Sequence, residues 1–556
     1  MQVAAVCKAV ARLRGARDGN VAILFAFLSL PILGLTGAAI DYGLATRLEV
    51  KLQAATDATA LALCQTPLST TKPALQIQAS MTMAGFMGAA VTIDPLNITD
   101  NPRQITLTSR MPSPIFFGKI TGTTAIRPRA TARCATPLPK TFEIALVLDN
   151  TGSMNVSGGG QTKMQALKTA ATNFVDYVYS NDSFSSGTRL SIVPFASAVA
   201  IPAIYRSSSW IDLAGKSSYH WTNVLSPGAS GFTNRLQIFS KLQSAYADWA
   251  WAGCLETLPY PLNVQDVMPS SNDSLFVPML APDEPGDGSV TYACVGSNCS
   301  FNSYIRDMNG TSGCDSTSNL SFAQLEGRSC KYVSPAGAAP TNSNSYTGVP
   351  NGPNFGCTTK PLQTLTSDTA ALKNLINGMA PLGSTNIHEG LMWGWRTLSP
   401  LSVFASGSSP PASYSSSTVN KILILMTDGE NSWPMNGNSP YNQSMYFPAG
   451  YIKNADGSGP NTRLPPGNQN ISTASNSRNA LDALTAQACS NAKSAGISIY
   501  TIGFSVSADP IDQQGLNLLS SCASTTNQFF VANDANGLIN AFNQIASSIG
   551  SLRLTQ

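Results

Sequence analysis

Oxygen-bearing side chains directly follow a buried strand-like segment of the chain. The apolar run at residues 144–148 ends at Asp149, and Thr151 and Ser153 come next at alternate positions. An apolar run that stops at a polar loop is typical of a central parallel strand, which ends at the rim of an α/β sheet. One carboxylate and two hydroxyls at this spacing can converge on a small hard cation, because oxygen-only ligands suit magnesium or manganese better than zinc.

Two later segments carry further oxygen ligands. Residues 383–386, Gly-Ser-Thr-Asn, open a helix-like segment, and a second buried-strand pattern at 421–427 ends at Asp428. The first motif alone also fits an ordinary turn, in which Asp and Ser are common. Because the carboxyl ends of parallel strands lie at one edge of a sheet, the three segments together predict one site. Its predicted members are Asp149, Thr151, Ser153, Thr385 and Asp428.

Alternating strand-like and helix-like segments position these residues. After residue 140 the apolar spacing changes repeatedly between the periods of strands and helices, which predicts an α/β domain over residues 140–556. Two long polar stretches, about 205–359 and 434–472, interrupt the alternation and are predicted to be insertions. We expect the first insertion to be stapled by disulfides, to project from the core and to bury its four tryptophans, Trp210, Trp221, Trp249 and Trp251.

The order of the site residues resembles the metal-ion-dependent adhesion site (MIDAS) of the von Willebrand factor A (vWA) family. That site has an Asp-x-Ser-x-Ser motif, a later Thr and a later Asp, and Thr151 keeps the hydroxyl of the first Ser here. The resemblance implies a doubly wound, mostly parallel-sheet, Rossmann-like domain. It also implies that the five residues hold Mg²⁺ (or Mn²⁺ or Ca²⁺), directly or through water, and that a partner protein presents an acidic side chain to the ion.

The composition indicates an exported protein that does not bind nucleic acid. Charged residues make up 11% of the chain and the net charge is +3, without a basic stripe. Ten of the eleven cysteines follow the apolar segment at 21–40, and an even number in an exported region favours disulfides. Cys489 and Cys522 are the expected pair. Cys294 and Cys299 could instead ligate a metal, but no CxxC pair or His cluster accompanies them.

An apolar segment near the N-terminus predicts a membrane anchor. Residues 21–40 carry no charge and match the ~20 residues that cross a bilayer. The tail at 1–20 contains four basic residues before position 18, which predicts that it lies in the bacterial cytoplasm, with the bulk of the chain in the periplasm or at the cell surface. A cleaved secretory signal is the alternative, although the apolar run is longer than a typical signal core.

The region around this segment resembles the N-terminal region of TadE/TadG-like proteins of Tad/Flp pilus assembly systems, over about residues 14–63. Helical spacing continues past residue 40 to Cys64. Prepilin-like members carry a Glu five residues after the processing Gly, whereas Leu24 stands there after Gly19, which favours an uncleaved anchor. Residues 41–139 are predicted to form a stalk, a long helix on a few strands that include 105–107 and 124–126, with a hinge at 137–139.

The leading functional hypothesis is a membrane-anchored, exported vWA protein of Tad/Flp pilus assembly, acting in pilus biogenesis, anchoring or adhesion through metal-dependent protein binding. A general cell-surface vWA adhesin or receptor unrelated to pili is the alternative. A metal-dependent hydrolase is disfavoured, because no general base is positioned near the site and no nucleophile elbow or phosphate-binding loop is present. We therefore expect no enzyme and no catalytic residues. His388, Glu389 and Glu430 are expected on solvated surfaces.

Overall fold

The chain divides into two compact units, Met1–Leu138 and Pro139–Gln556. The computed structural model describes residues 19–551, apart from 68–69, 100–102, 119–121, 136–140, 158–159, 182–183, 185–186, 289–293, 296–297, 300–301, 338–347, 408, 436–441 and 453–460. The predicted basic tail before residue 19 and the predicted hinge at 137–139 lie outside the described residues.

Two helices and a small antiparallel sheet make up the first unit. Its elements are α1 (Gly19–Cys64), α2 (Lys72–Met87), β1 (Thr92–Ile93), β2 (Asn97–Thr99), β3 (Gln104–Arg110) and β4 (Arg129–Ala135). Strand β3 pairs with the other three strands. The predicted continuation of the apolar helix to Cys64 is confirmed, because α1 is one helix of 46 residues, about 69 Å long at 1.5 Å per residue.

The two halves of α1 have different surroundings. Its second half buries Leu52, Ala55 and Leu63 in contact with α2 and the sheet, and the Cys64–Cys134 disulfide links its end to β4. In its first half, large apolar side chains such as Leu30 are exposed. Among the described residues α1 is the one helix that is long and apolar enough to cross a membrane.

The predicted strand at 124–126 is wrong. Strand β4 begins at Arg129, which pairs with Arg110, the last residue of β3. Residues 124–126 therefore lie beyond the end of the ladder, opposite a segment in which Pro112 and Pro114 have no N–H to donate. One hydrogen bond, from the Ser113 N–H to the carbonyl of residue 126 at 2.8 Å, is too little to continue the sheet.

A six-stranded sheet forms the core of the second unit, in the order β12–β11–β10–β5–β6–β9. All neighbours are parallel except β9, which pairs antiparallel with β6 at the edge and was not predicted. The predicted doubly wound, mostly parallel fold is confirmed. In chain order the elements are β5 (Thr141–Asp149), α3 (Lys163–Ser180), β6 (Arg189–Phe195), α4 (Arg235–Ala245), β7 (Cys294–Val295), β8 (Asn298–Cys299), α5 (Phe322–Gly327), β9 (Gln363–Thr366), α6 (Thr369–Gly378), α7 (Ile387–Leu398), β10 (Val419–Thr427), α8 (Ala474–Ser494), β11 (Ser498–Phe504), α9 (Gln513–Cys522), β12 (Phe529–Ala532) and α10 (Ala535–Ser551).

Side chains of β5 alternate between two hydrophobic layers. Ile144, Leu146 and Leu148 pack with helices α3, α6 and α10, whereas Ala145 and Val147 pack with α7, α8 and α9. Both faces of the strand are therefore covered, which explains its uninterrupted apolar sequence.

The first insertion covers α7 rather than projecting from the core. All twelve residues of α7 are buried, and the Trp393 ring lies 5.4 Å from the ring of Phe276 in the insertion. Trp210, Trp249 and Trp251 are buried in the same hydrophobic cluster as the sheet, and Trp221 is half-buried against it. The expectation that these tryptophans form the interior is confirmed for Trp210, Trp249 and Trp251, and that interior is continuous with the core of the sheet.

Disulfides join neighbouring elements of the unit. The expected Cys489–Cys522 pair is confirmed and links α8 to α9. Cys254–Cys357 and Cys314–Cys330 close loops within the first insertion. The side chains of Cys294 and Cys299 lie outside the described residues.

Candidate metal centre

The predicted site lies at the carboxyl ends of two adjacent strands. Strands β5 and β10 run parallel, with Leu148 opposite Met426, so Asp149 and Asp428 leave the sheet side by side. A short turn at Gly152–Asn155 then brings Ser153 back toward the end of β10. Carboxylates and hydroxyls that are far apart in the sequence meet here because β5 and β10 are adjacent and their ends are aligned.

Hydrogen bonds connect these side chains directly. Asp149 Oδ1 accepts from the N–H and the hydroxyl of Thr151, at 2.8 and 2.6 Å, and its Oδ2 accepts from the hydroxyl of Thr427 at 2.6 Å. The Ser153 hydroxyl donates to Asp428 Oδ1 at 2.8 Å. Thr427 was not predicted as part of the site, although it directly precedes Asp428 in the sequence.

The two hydroxyl oxygens of the loop lie next to each other. Thr151 Oγ1 and Ser153 Oγ lie 2.8 Å apart, and each is within donating distance of a carboxylate. Either hydroxyl can donate to the other, or each can donate to its carboxylate and leave both oxygens free to accept. Neighbouring ligands of an octahedral ion with bonds of ~2.1 Å lie roughly 3 Å apart, so this spacing suits magnesium.

Thr385 lies at the same rim. It is 6% exposed and lines a cleft of about 430 Å³ together with Ser153 and Asp428. The carbonyl of Gly383 accepts from the Gly152 N–H at 2.9 Å, which ties the two loops together. Gly383 has a φ of +98°, and a Cβ there would lie 2.9 Å from the hydroxyl of Thr358, so this position requires glycine.

Burial and like charge raise the pKa values of both carboxylates. Asp149 is fully buried, and burial together with the charge of Asp428 raises its pKa to about 7, although hydrogen bonds from Thr151 and Thr427 oppose the shift. Burial also raises the pKa of Asp428, against the nearby ammonium of Lys163. Both carboxylates would be stabilised in their charged form by an added cation.

A buried lysine missed in the sequence contacts the site. Lys163 Nζ lies 2.9 Å from Asp428 Oδ2 and 2.7 Å from Asp509 Oδ2, and the lysine side chain is fully buried. A lysine in the first turn of a helix is unfavourable toward the helix dipole, which is a signal in the sequence that it has an acidic partner. When all three carboxylates are ionised, the ammonium of Lys163 leaves two negative charges, which a divalent cation would neutralise.

Other polar residues near the rim have structural roles. His388 and Glu389 are buried, contrary to expectation, because the first insertion covers α7. His388 Nε2 contacts the carbonyl of Asn263 at 2.8 Å, and burial lowers the pKa of this histidine. Glu389 accepts from the hydroxyl of Thr257. Glu430 is solvent-exposed as expected, and it pairs with a neighbouring arginine.

Comparison with known protein families supports the resemblance of the N-terminal region. Residues 19–62 match the family described as "Putative Flp pilus-assembly TadE/G-like", which confirms the N-terminal resemblance. No curated protein matches the chain.

Solved structures similar to the chain include vWA domains. The vWF domain of the type V pili tip protein Mfa5 from Porphyromonas gingivalis is 13% identical, with a TM-score of 0.32, over 74% of this chain and 96% of that one. The PilB minor pilin from Streptococcus sanguinis is 12% identical, with a TM-score of 0.31, over 84% and 80%. A von Willebrand factor type A structure from Catenulispora acidiphila is 11% identical, with a TM-score of 0.27, over 83% and 50%. These similarities concern the fold, and the assignment of the fold rests on the sheet order.

Proposed function

We propose that this chain is a membrane-anchored, non-enzymatic component of a Tad-type pilus apparatus whose second unit binds a partner protein through a divalent cation. The first half of α1 anchors the chain in the bacterial inner membrane, with the N-terminus in the cytoplasm. The sheet unit is exported and presents the rim of β5 and β10 to the partner.

The arrangement of the rim hydroxyls carries the binding part of the proposal. The hydroxyls of Thr151 and Ser153 lie within donating distance of Asp149 and Asp428, and Ser153 lines the cleft. Thr385 lines that cleft and makes no hydrogen bond to the other four side chains within the described part of the chain. These three hydroxyls and Asp428 would hold a magnesium-type ion, and Asp149 would orient Thr151.

Neutral ligands determine what the site can bind. Three hydroxyl ligands leave much of the charge of a divalent ion unneutralised, and ions of this kind keep exchangeable water at open positions. An acidic side chain of a partner can replace such a water. The ion would supply the attraction, while the buried hydrogen bonds of Asp149 hold the loop in place.

The pilus part of the proposal rests on residues 19–62 and on the exposed apolar half of α1. A general surface adhesin with the same anchor is the alternative, and piliation separates the two. Deletion of the gene should abolish or reduce surface pili, and reintroduction of the wild-type chain should restore them. Unchanged piliation after deletion would exclude the pilus role and favour the general surface adhesin.

A calorimetric magnesium titration of the full chain in detergent tests the site. We expect wild-type protein to bind one Mg²⁺ at the rim, and Asp149→Ala and Asp428→Ala to remove this binding. Asp176→Ala is the matched control, because Asp176 is exposed on α3 and pairs with Lys373. Equal magnesium binding by wild type and both rim variants would exclude the proposed centre.

A further inference from the structure

The first unit holds an aromatic loop against the apolar half of α1. Residues 111–118, Met-Pro-Ser-Pro-Ile-Phe-Phe-Gly, connect towards β4 without forming a strand. Phe117 packs on Gly37, where a Cβ would lie 2.6 Å from the Cγ of the ring. The absence of a side chain at Gly37 therefore makes room for the ring on the surface of the helix.

A buried carboxylate fixes this loop. Asp41 lies directly after the apolar residues 21–40 and is only 4% exposed. Its two oxygens accept hydrogen bonds from the backbone N–H groups of Phe116 and Phe117, at 2.9 and 3.0 Å. Two backbone donors satisfy the carboxylate and hold both aromatic residues beside the end of the apolar segment.

The position of the loop along α1 coincides with the expected membrane surface. At 1.5 Å per residue, Gly37 lies about 4.5 Å before Ile40, inside the apolar segment. The Phe116 side chain is 71% exposed. Apolar side chains on the neighbouring surface of α1 are exposed too, such as Leu35 at 72%. Apolar side chains such as Phe, Trp and Leu anchor segments that lie at the membrane surface, where they are buried at the boundary between headgroups and acyl chains.

We propose that the loop around Phe116 and Phe117 inserts into the outer leaflet of the lipid bilayer as a second membrane contact beside α1. The inference rests on the membrane anchoring included in the proposed function. Asp41 is a positioning residue, which sets the depth of the loop through the two N–H groups. Insertion at two adjacent points restricts tilting of α1 and so orients the first unit relative to the membrane surface.

Site-specific photocrosslinking to lipid tests this proposal. The photoreactive analogue p-benzoylphenylalanine replaces Phe116 in the full chain, which is reconstituted in vesicles of phosphatidylethanolamine and phosphatidylglycerol with a radiolabelled lipid. We expect lipid labelling at position 116 at least several-fold above that at Leu61. Leu61 is a matched control, because it is 61% exposed on α1 and lies about 31 Å beyond Ile40.

A third position separates the possible failures. The analogue at Leu30, in the exposed apolar half of α1, should be labelled by lipid in any anchored chain. Labelling at Leu30 but not at Phe116, or crosslinking of Phe116 to protein only, would overturn the loop insertion and leave the anchor intact. No labelling at either position would overturn the anchor itself.

Two substitutions test the positioning of the loop. Asp41→Ala removes both acceptors, and Gly37→Val fills the space of the Phe117 ring. Each should lower labelling at position 116 several-fold while labelling at Leu30 stays unchanged, which also shows that the variant is inserted. Undiminished labelling of position 116 in both variants would contradict the positioning role of Asp41.

Discussion

Replacement of Lys163 by methionine should have opposite effects on the stability and on the metal affinity of the second unit. The ammonium lies 2.9 Å from Asp428 and 2.7 Å from Asp509, and the Lys163 and Asp428 side chains are fully buried. Removal of one partner of a buried ion pair costs about 3–5 kcal/mol, because the other charge stays buried and unpaired. Asp509 is 38% exposed, so its pair adds less than about 1 kcal/mol.

The same change removes a positive charge that competes with a bound cation. At a separation of roughly 5.5 Å and an effective dielectric constant near 20, repulsion between the ammonium and a divalent ion is on the order of 6 kcal/mol before screening. We therefore expect Lys163→Met to bind Mg²⁺ at least about tenfold more tightly, which corresponds to about 1.4 kcal/mol. Its loss of stability should be about 3 kcal/mol without magnesium and clearly smaller at saturating magnesium.

Urea unfolding of the full chain with and without Mg²⁺, together with calorimetric titration, measures both effects. Lys168→Met is the matched control, because Lys168 is on the same helix and donates to the carbonyl of Asn377 near solvent. It should leave the magnesium affinity unchanged. The reasoning is refuted when Lys163→Met loses the same stability with and without magnesium, or when it binds the ion more weakly than wild type.

Two further changes test the packing and the ion pairs. Gly394→Ala should destabilise the second unit by about 1–3 kcal/mol, because a Cβ would lie 2.3 Å from Val147 Cγ2. Gly378→Ala is the control, because a Cβ there meets nothing within 4 Å. Thermal unfolding should show a much smaller loss of stability for Gly378→Ala than for Gly394→Ala. Arg478 lowers the pKa of Asp512 to about 2, so this carboxylate stabilises the fold above its unfolded pKa of ~3.9 and the contribution is lost as the pH falls towards 2. Asp512→Asn should therefore reduce the stability at pH 6 by under about 1 kcal/mol, because Asp512 is 47% exposed and solvent screens the pair. It should also flatten the loss of stability between pH 4 and 2, and an unchanged acid profile would contradict this.

The sequence was sufficient to predict the two central strands that carry the candidate site. Strands β5 and β10 are apolar over their buried length and stop at an aspartate, so their ends could be located without coordinates. The start of α7 directly after residues 383–386 was also predicted, and Asn386 caps this helix by accepting from the backbone N–H of Glu389. The structure brings the five predicted residues to one rim, while their binding of a metal stays a prediction.

Contacts between distant residues were decided only by the tertiary structure. Lys163 and Asp509 are 346 positions apart, and no local pattern predicts that their charges meet. The burial of His388 and Glu389 depends in the same way on the packing of the first insertion against α7, whereas the sequence predicted that this insertion projects from the core. Periodicity reports which face of a segment is apolar, because it depends on neighbours along one chain segment. It does not report which other segment covers that face, since this depends on the packing of the whole chain.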